Sequence, residues 1–314
     1  MVRIKKKNFV SAVIYVHNVE AHIGCFLQTI IHVLEENFEH SEIICVNDGS
    51  DDNSLSELRK TSMPAGSTSI SVINLSYYHG LEAAMNAGLD LAIGDFVFEF
   101  DNTILDFDEN EIMRIYERSL EGYDIVSASP NRKERLSSKL FYSVFEKFTN
   151  VPHRMITESF RVLSRRVINR VSSTNKTIPY RKAVYANSGL KTDNILYDVL
   201  PDAADAVKNR KENRYRKTLA FDTLILFTEV GYRFSIAMTL LMMATSVFMV
   251  CYSIVIYMTR HPVVGWTTTI LFLSVAFSGL FGILTIVIKY LQLLVNLVFK
   301  RKQYVFESIE KLTK

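Results

Sequence analysis

Two short apolar runs in this chain each end in a carboxylate. Ile43-Ile44-Cys45-Val46 runs into Asn47-Asp48-Gly49-Ser50-Asp51-Asp52, and Phe96-Val97-Phe98-Glu99-Phe100 runs into Asp101-Asn102-Thr103. Runs of this length bounded by turn residues read as buried strands. In an open α/β sheet, ligands sit outside the carboxyl ends of the strands. Two acids at two such ends therefore predict one polar site at one sheet edge. Strand-end carboxylates can hold a divalent cation, which neutralises charge developing on a leaving group. The plainer alternative is that Asp48 and Asp101 only cap the helices that follow. Further along, Arg132, Arg135 and Arg161 are candidates for phosphate, which an arginine fork grips in bidentate fashion.

The elements around these residues alternate. Phe9–Val16 is β-rich and apolar, a buried first strand. Between 23 and 38, Ile23, Phe26, Leu27, Ile30, Ile31 and Leu34 fall at helical spacing. Ile43–Val46 is the second strand, Ser54–Lys60 a short helix, and Ser69–Leu75 the third strand. Gly80–Ala92 is a helix whose alanines allow close packing on a sheet, and Phe96–Phe100 is the fourth strand. This alternation implies a parallel sheet with right-handed crossovers. Asp106–Leu120 reads as a helix, Tyr123–Ser127 as a strand, Ser129–Arg170 as basic and helical, and Ile195–Tyr197 as a last strand.

The 314 residues exceed one small domain, and a net charge of +3 gives no case for nucleic-acid binding. Three scattered cysteines share no metal spacing; Cys25 and Cys45 read as small core residues of a reducing compartment. The basic N-terminal stretch breaks at His17-Asn18 and reads as the approach to a strand, not as a signal peptide. Phe234–Met258 and Thr267–Ile288 are almost wholly apolar and carry no formal charge, long enough to cross a hydrocarbon core of about 30 Å. Only eight residues, with Trp266 as an interfacial anchor, separate them, which makes a helical hairpin. Arginines and lysines flank the hairpin on its outer sides, so residues 1–213 and the tail 299–314 are expected on the cytoplasmic face of the inner membrane. Residues 214–233 are expected to form an interfacial helix. Small residues in the spans, among them Ser274, Ala276, Ser278 and Gly279, would suit a homo-oligomer.

These residues carry a resemblance. Val16-His17-Asn18-Val19-Glu20 after the first strand, Asn47 to Asp52 after the second, His79-Gly80-Leu81-Glu82-Ala83-Ala84 opening a helix, Pro262 to Thr267 and Lys302-Gln303-Tyr304 in that order resemble family 2 glycosyltransferases. More narrowly, the chain is similar to bacterial polyprenyl-phosphate glycosyltransferases and to dolichol-phosphate mannose synthase. The resemblance implies an α/β, GT-A-like, doubly wound and mostly parallel sheet, followed by the membrane hairpin. It implies transfer of a sugar from a UDP- or GDP-sugar to polyprenyl (undecaprenyl) phosphate, with Mg²⁺ or Mn²⁺. Val16, Asn18, Glu20, Asp48, Gly49, Asp52, Gly80, Asp101 and Asn102 would bind the nucleotide sugar. Arg132, Arg135, Ser138 and Arg161 would bind the lipid phosphate. Asp101, Glu158 and Arg161 would be catalytic, and Asp101 with Thr103 would hold the metal.

Three positions depart from the family pattern. Thr103 stands where the metal motif has a second acid, Ser159 where an acid precedes Phe160-Arg161, and Pro130 where an arginine is expected. They leave a second reading, a catalytically degenerate protein that binds a nucleotide sugar as a sensor or partner subunit.

Overall fold

The computed structural model describes residues 5–62, 66–131, 158–174, 180–186, 188–200, 266–299 and 304–313, and seven positions between 237 and 248. The chain divides into two compact units. One comprises Met1–Glu146, Asn150–Leu219 and Arg301–Lys314; the other comprises Lys147–Thr149 and Ala220–Lys300.

The first unit begins β1 (Val10–Val16), α1 (Glu20–Asn37), β2 (Ser41–Asn47), α2 (Ser54–Ser62), β3 (Thr68–Leu75), α3 (Leu81–Leu91), β4 (Phe96–Phe100) and α4 (Asn110–Leu120). It continues β5 (Ile125–Pro130), β6 (Phe160–Ser164), α5 (Arg165–Thr174), α6 (Arg181–Ala186) and β7 (Thr192–Tyr197), and ends in β8 (Phe306–Lys311). Helix α7 (Trp266–Phe299) lies in the second unit.

One eight-stranded sheet runs β7-β5-β6-β4-β1-β2-β3-β8. Its middle, β4-β1-β2-β3, is wholly parallel, as the strand–helix alternation predicts. The flanks mix the directions of a sheet that stays mostly parallel: β3/β8, β4/β6 and β6/β5 pair antiparallel, while β5/β7 is parallel like the three pairs of the middle. Residues 160–164 correct one expectation. Read as part of a helical stretch, they form β6, inserted between β4 and β5 with its first four residues buried. Burial on both faces overrides local preference there. The segment after Arg301, read only as a tail, supplies β8 to the edge of β3.

The strands of the middle are buried on both faces, which is why they read as continuous apolar runs. Val10, Ala12, Ile14 and Val16 of β1 share a core with Ile23, Phe26, Leu27, Ile30, Ile31 and Leu34 of α1 and with Ile112, Ile115 and Tyr116 of α4. Helix α3 covers the other face. A Cβ at Gly88 would lie 2.3 Å from Val13 Cγ1 and 2.9 Å from Val46 Cγ2, so the helix rests directly on β1 and β2. Cys45 is a core residue, its thiol pushed up to about 12 by burial. Cys25 is exposed on α1, contrary to expectation, because its position falls outside the helix's apolar stripe.

Among the described residues, no helix is long and apolar enough to cross a membrane. Most of the expected first span, 234–258, and the whole interfacial segment, 214–233, lie outside the described residues. The expected second span falls within α7, whose 34 residues amount to about 51 Å of helix.

Candidate active site

The carboxyl ends of β1 and β2 are tied together. Asp48 N–H donates to Val16 O at 2.9 Å, and His17 Nδ1 lies 2.7 Å from Asp48 O. Asn18, at φ 52, accepts Asp51 N–H at 2.8 Å, while its own N–H donates to Ser50 Oγ. Asp52 accepts from Glu20 N–H at 3.0 Å and from the Ser54 hydroxyl at 2.5 Å; Glu20 in return accepts Asn53 N–H at 2.9 Å. Burial works against the Asp52 charge, but these hydrogen bonds outweigh it and hold the carboxyl below its usual range. Gly49 has φ +58, and a Cβ there would come within 2.9 Å of Tyr78 N, so the turn needs glycine. The structure thus brings Val16, Asn18, Glu20, Asp48, Gly49 and Asp52 onto one rim.

Asp48 is fully buried, and its acceptors are spent on the fold. It takes His79 N–H at 2.7 Å, Gly80 N–H at 2.8 Å and the Tyr15 hydroxyl at 3.1 Å. Those two amides precede α3, so the carboxylate sits at the positive end of that helix. Asp48 joins β2 to α3, which makes it a strut of the rim.

The second strand-end acid stands in a different environment. Asp101 Oδ1 accepts Arg181 Nη2 at 2.7 Å and Oδ2 accepts Arg161 Nη2 at 2.7 Å. Arg181 also reaches Glu99 at 2.6 Å and Glu82 at 3.0 Å. Arg161 Nη1 lies 3.1 Å from Glu99 and Nε lies 3.1 Å from Glu158, neither in hydrogen-bond geometry. Glu99 and Arg161 are direct partners across β4 and β6. Tyr185 donates its hydroxyl to Glu99 at 3.0 Å, and Lys182 Nζ lies 3.9 Å from Glu158. Four carboxylates thus face three cations, with one negative charge in excess. Burial disfavours the Asp101 charge, but Arg161, Arg181 and Lys182 override it and hold the carboxyl far below the usual range. Burial opposes the Arg161 charge as well; Asp101, Glu158 and Glu99 more than restore it, so its guanidinium stays charged.

Helix α3 links the two clusters: Gly80 N–H just before it binds Asp48, and Glu82 in its first turn binds Arg181. Asn102 is a turn residue, its side chain accepting Ile104 N–H. Thr103 is buried, and its hydroxyl has no partner among the described residues. Ser159, where the pattern lacks an acid, lies 2.6 Å from the Tyr197 hydroxyl, which donates to Asp106 at 2.8 Å. Arg132, Arg135 and Ser138 lie outside the described residues.

The metal expectation does not fit this donor set. No group of three or more His, Cys, Asp or Glu side chains placed for a metal exists among the described residues. Both oxygens of Asp101 are committed to guanidinium groups. Thr103 offers only a neutral hydroxyl, a weaker ligand than a carboxylate for a hard cation.

Arg181 and Tyr185 were not singled out by the sequence, Glu82 only as part of the motif opening a helix, and Glu99 only as part of an apolar run. A charge at alternate spacing with Asp101, in a strand otherwise fit for full burial, was the available signal.

The profile of Glycosyl transferase family 2 matches residues 11–172. The chain belongs to glycosyl transferase family 2. This glycosyltransferase-family chain is 30% identical over 197 residues to an uncharacterised glycosyltransferase of Synechocystis sp., with 61% of each chain covered. It is 25% identical over 279 residues to the uncharacterised glycosyltransferase YkcC of Bacillus subtilis, covering 86% of this chain and 84% of that one. It is 31% identical over 147 residues to the undecaprenyl-phosphate 4-deoxy-4-formamido-L-arabinose transferase of Aeromonas hydrophila, covering 45% of this chain and 44% of that one. The matches thus span about three fifths of the first of these relatives and less than half of the third. Among solved structures, glucosyl-3-phosphoglycerate synthase of Mycobacterium tuberculosis in complex with phosphoglyceric acid aligns with TM-score 0.53 at 12% identity, over 71% of this chain and 81% of that one. The same enzyme with Mg²⁺ and UDP gives 0.51 at 15% identity, over 71% and 80%. These likenesses show that the family 2 chain has the GT-A-like fold.

Proposed function

We propose that this family 2 protein transfers a sugar from a nucleotide sugar, UDP- or GDP-linked, to the phosphate of a polyprenyl lipid at the cytoplasmic face of a membrane. The observation that carries the proposal is the convergence of Arg161 and Arg181 on Asp101 at the carboxyl end of β4. Two guanidinium groups aimed at one point suit a reaction in which both donor and acceptor carry phosphate. Arg161 also keeps Nε and Nη1 without a directional acceptor. The lipid acceptor draws support from the relative named an undecaprenyl-phosphate transferase.

In this reading, the turn from Asp48 to Asp52, with Val16, Asn18, Glu20 and Gly80, receives the nucleoside. The acceptor phosphate oxygen attacks the anomeric carbon, and the bond from that carbon to the diphosphate breaks. The leaving group is a nucleoside diphosphate, and direct attack inverts the anomeric centre. The attacking oxygen is already anionic, so no strong general base is required. Arg161 and Arg181 hold phosphate charge; Glu158 holds Arg161. Arg132, Arg135 and Ser138 extend the lipid-phosphate site in the proposal. The neighbour solved with Mg²⁺ and UDP makes metal dependence something to assay, but the donor set does not fit a metal and no step runs through one here.

Helix α7 supports membrane attachment. Leu273, Phe277, Leu280, Leu284, Val287, Leu291 and Leu294 are all exposed. They form an apolar stripe along about 32 Å of helix, which suits contact with lipid. Their steps of four and three also suit a second copy of the helix, which supports a homo-oligomer.

A second reading, nucleotide-sugar binding without turnover, is favoured by the orphan hydroxyl of Thr103 and the double pairing of Asp101. Detergent-purified protein with undecaprenyl phosphate, UDP- and GDP-sugars, and Mg²⁺, Mn²⁺ or chelator separates the two. Lipid-dependent release of nucleoside diphosphate, lost in Asp101→Ala, is the expected result. Binding of UDP or GDP with no release under any condition would establish the second reading.

A further inference from the structure

The rim loop Tyr77–Gly80 is gripped from one side by Asp48 and from the other by the segment entering β8. His79 connects them. Its backbone N–H donates to Asp48 Oδ1 at 2.7 Å, and its ring is almost fully buried. Nδ1 lies 2.5 Å from the Tyr77 carbonyl oxygen, which can only accept, so Nδ1 carries the proton. Nε2 therefore presents a lone pair, and Val305 N–H donates to it at 3.1 Å. Tyr77 stacks on the ring, with centroids 4.0 Å apart and planes 16° apart.

The neighbours of Val305 fix it in turn. Its carbonyl accepts Ser76 N–H at 3.0 Å, and the Tyr304 hydroxyl donates to Asp90 near the end of α3. A second thread runs from β8 to the same turn. Glu310 and Ser308 accept from Asn74 Nδ2 at 3.1 and 3.0 Å, Asn74 Oδ1 accepts from Asn47 at 3.0 Å, and Asn47 Oδ1 accepts Ser50 N–H at 3.3 Å. Both threads end on the Asp48–Ser50 turn, and both begin on residues at least 226 positions away in sequence.

We propose that His79 is a positioning residue for the nucleotide-binding turn, and that the Val305 N–H holds it in its working orientation. The chain entering β8 thereby sets how tightly the rim binds the donor. The word donor rests on the function proposed above; the coupling between Val305 and the turn does not. Loss of this one hydrogen bond, made at the edge of a nearly buried ring, loosens His79 N–H and Gly80 N–H from Asp48, and with them the turn that Asp48 begins.

Two variants remove the contact from opposite sides: His79→Ala deletes the acceptor, and Val305→Pro deletes the N–H. His79→Gln keeps an acceptor near the Nε2 position. Amide hydrogen exchange of the ligand-free protein reads the coupling. We expect faster exchange at residues 47–53 and 77–82 in His79→Ala and Val305→Pro, and restoration in His79→Gln. Unchanged exchange in both deletions overturns the proposal. Titration with UDP and with GDP then reads the consequence. Affinity for whichever nucleotide the wild type binds should fall about five- to tenfold in both deletions, recover in His79→Gln, and leave kcat at saturating donor within twofold. A fall in kcat at unchanged affinity overturns the positioning role. Faster exchange in both deletions, beside a wild type that binds neither nucleotide, overturns the donor assignment and the role of His79 in it, while leaving the coupling itself established.

Discussion

Asp48 and Asp101 occupy equivalent places in the sequence pattern, each at the carboxyl end of an apolar strand hydrogen-bonded to β1. Their surroundings differ in kind. Asp48 is held by neutral donors, two backbone N–H groups and a tyrosine hydroxyl. Asp101 is held by two guanidinium ions inside a cluster of charges. Neutral dipoles fix a carboxylate in place and leave its charge uncompensated except by a helix end. Guanidinium ions compensate the charge, Arg161 and Arg181 each giving Asp101 one Nη2 bond. The first arrangement builds a frame; the second builds a compensated cluster of buried charges.

The largest test of this contrast is Arg181→Met. It leaves Glu82, Glu99 and Asp101 buried without their shared cation, and removing one partner of such a pair costs about 3–5 kcal/mol. Urea unfolding should show that loss, and a midpoint unchanged from wild type would mean the cluster is not held as described. Next comes Asp48→Asn. One acceptor becomes an NH₂ group turned toward backbone N–H donors, at a cost of about 1–3 kcal/mol, with the exchange at residues 77–82 rising in step. Tyr15→Phe removes a single neutral hydrogen bond and should cost about 1 kcal/mol. If Tyr15→Phe destabilised as much as Arg181→Met, the division into frame and charge cluster would fail.

Acid sharpens the same comparison. The Asp101 carboxyl is held far below its unfolded value of about 3.9. Its folded-state advantage is therefore present above that value and is lost as pH falls toward the depressed folded value. Wild-type stability measured between pH 5 and pH 2 should fall more steeply than that of Asp101→Asn, which has no such group to protonate. Parallel curves would remove Asp101 from the account of acid stability.

The middle of the fold was legible because strands buried on both faces and helices with one apolar stripe leave direct marks in sequence. The six apolar positions expected of α1 are all in the core. β6 was not legible: five residues in a basic stretch become a strand through the neighbours on either side. β8 was not legible either, since a charged edge strand carries no apolar alternation of its own. In the candidate site, the acids and turn glycines were visible because they break an apolar run sharply at the strand end. Arg181 was hidden, because what makes it part of the site is Glu82, Glu99 and Asp101, which lie 80 to 99 positions away.

Strand β8 also bears on how the protein is made. Its partner β3 emerges from the ribosome about 230 residues earlier. At ordinary elongation rates, that gap is on the order of 10–50 s. For that interval, the outer edge of β3 shows unpaired peptide groups to solvent, and the Asn74 side chain lacks its partners on β8. The apolar stretch that separates the two strands is synthesised in the same interval. Final closure of the sheet is thus a late event in the life of the nascent chain, and quality control that senses bare β edges would survey every copy before it becomes competent.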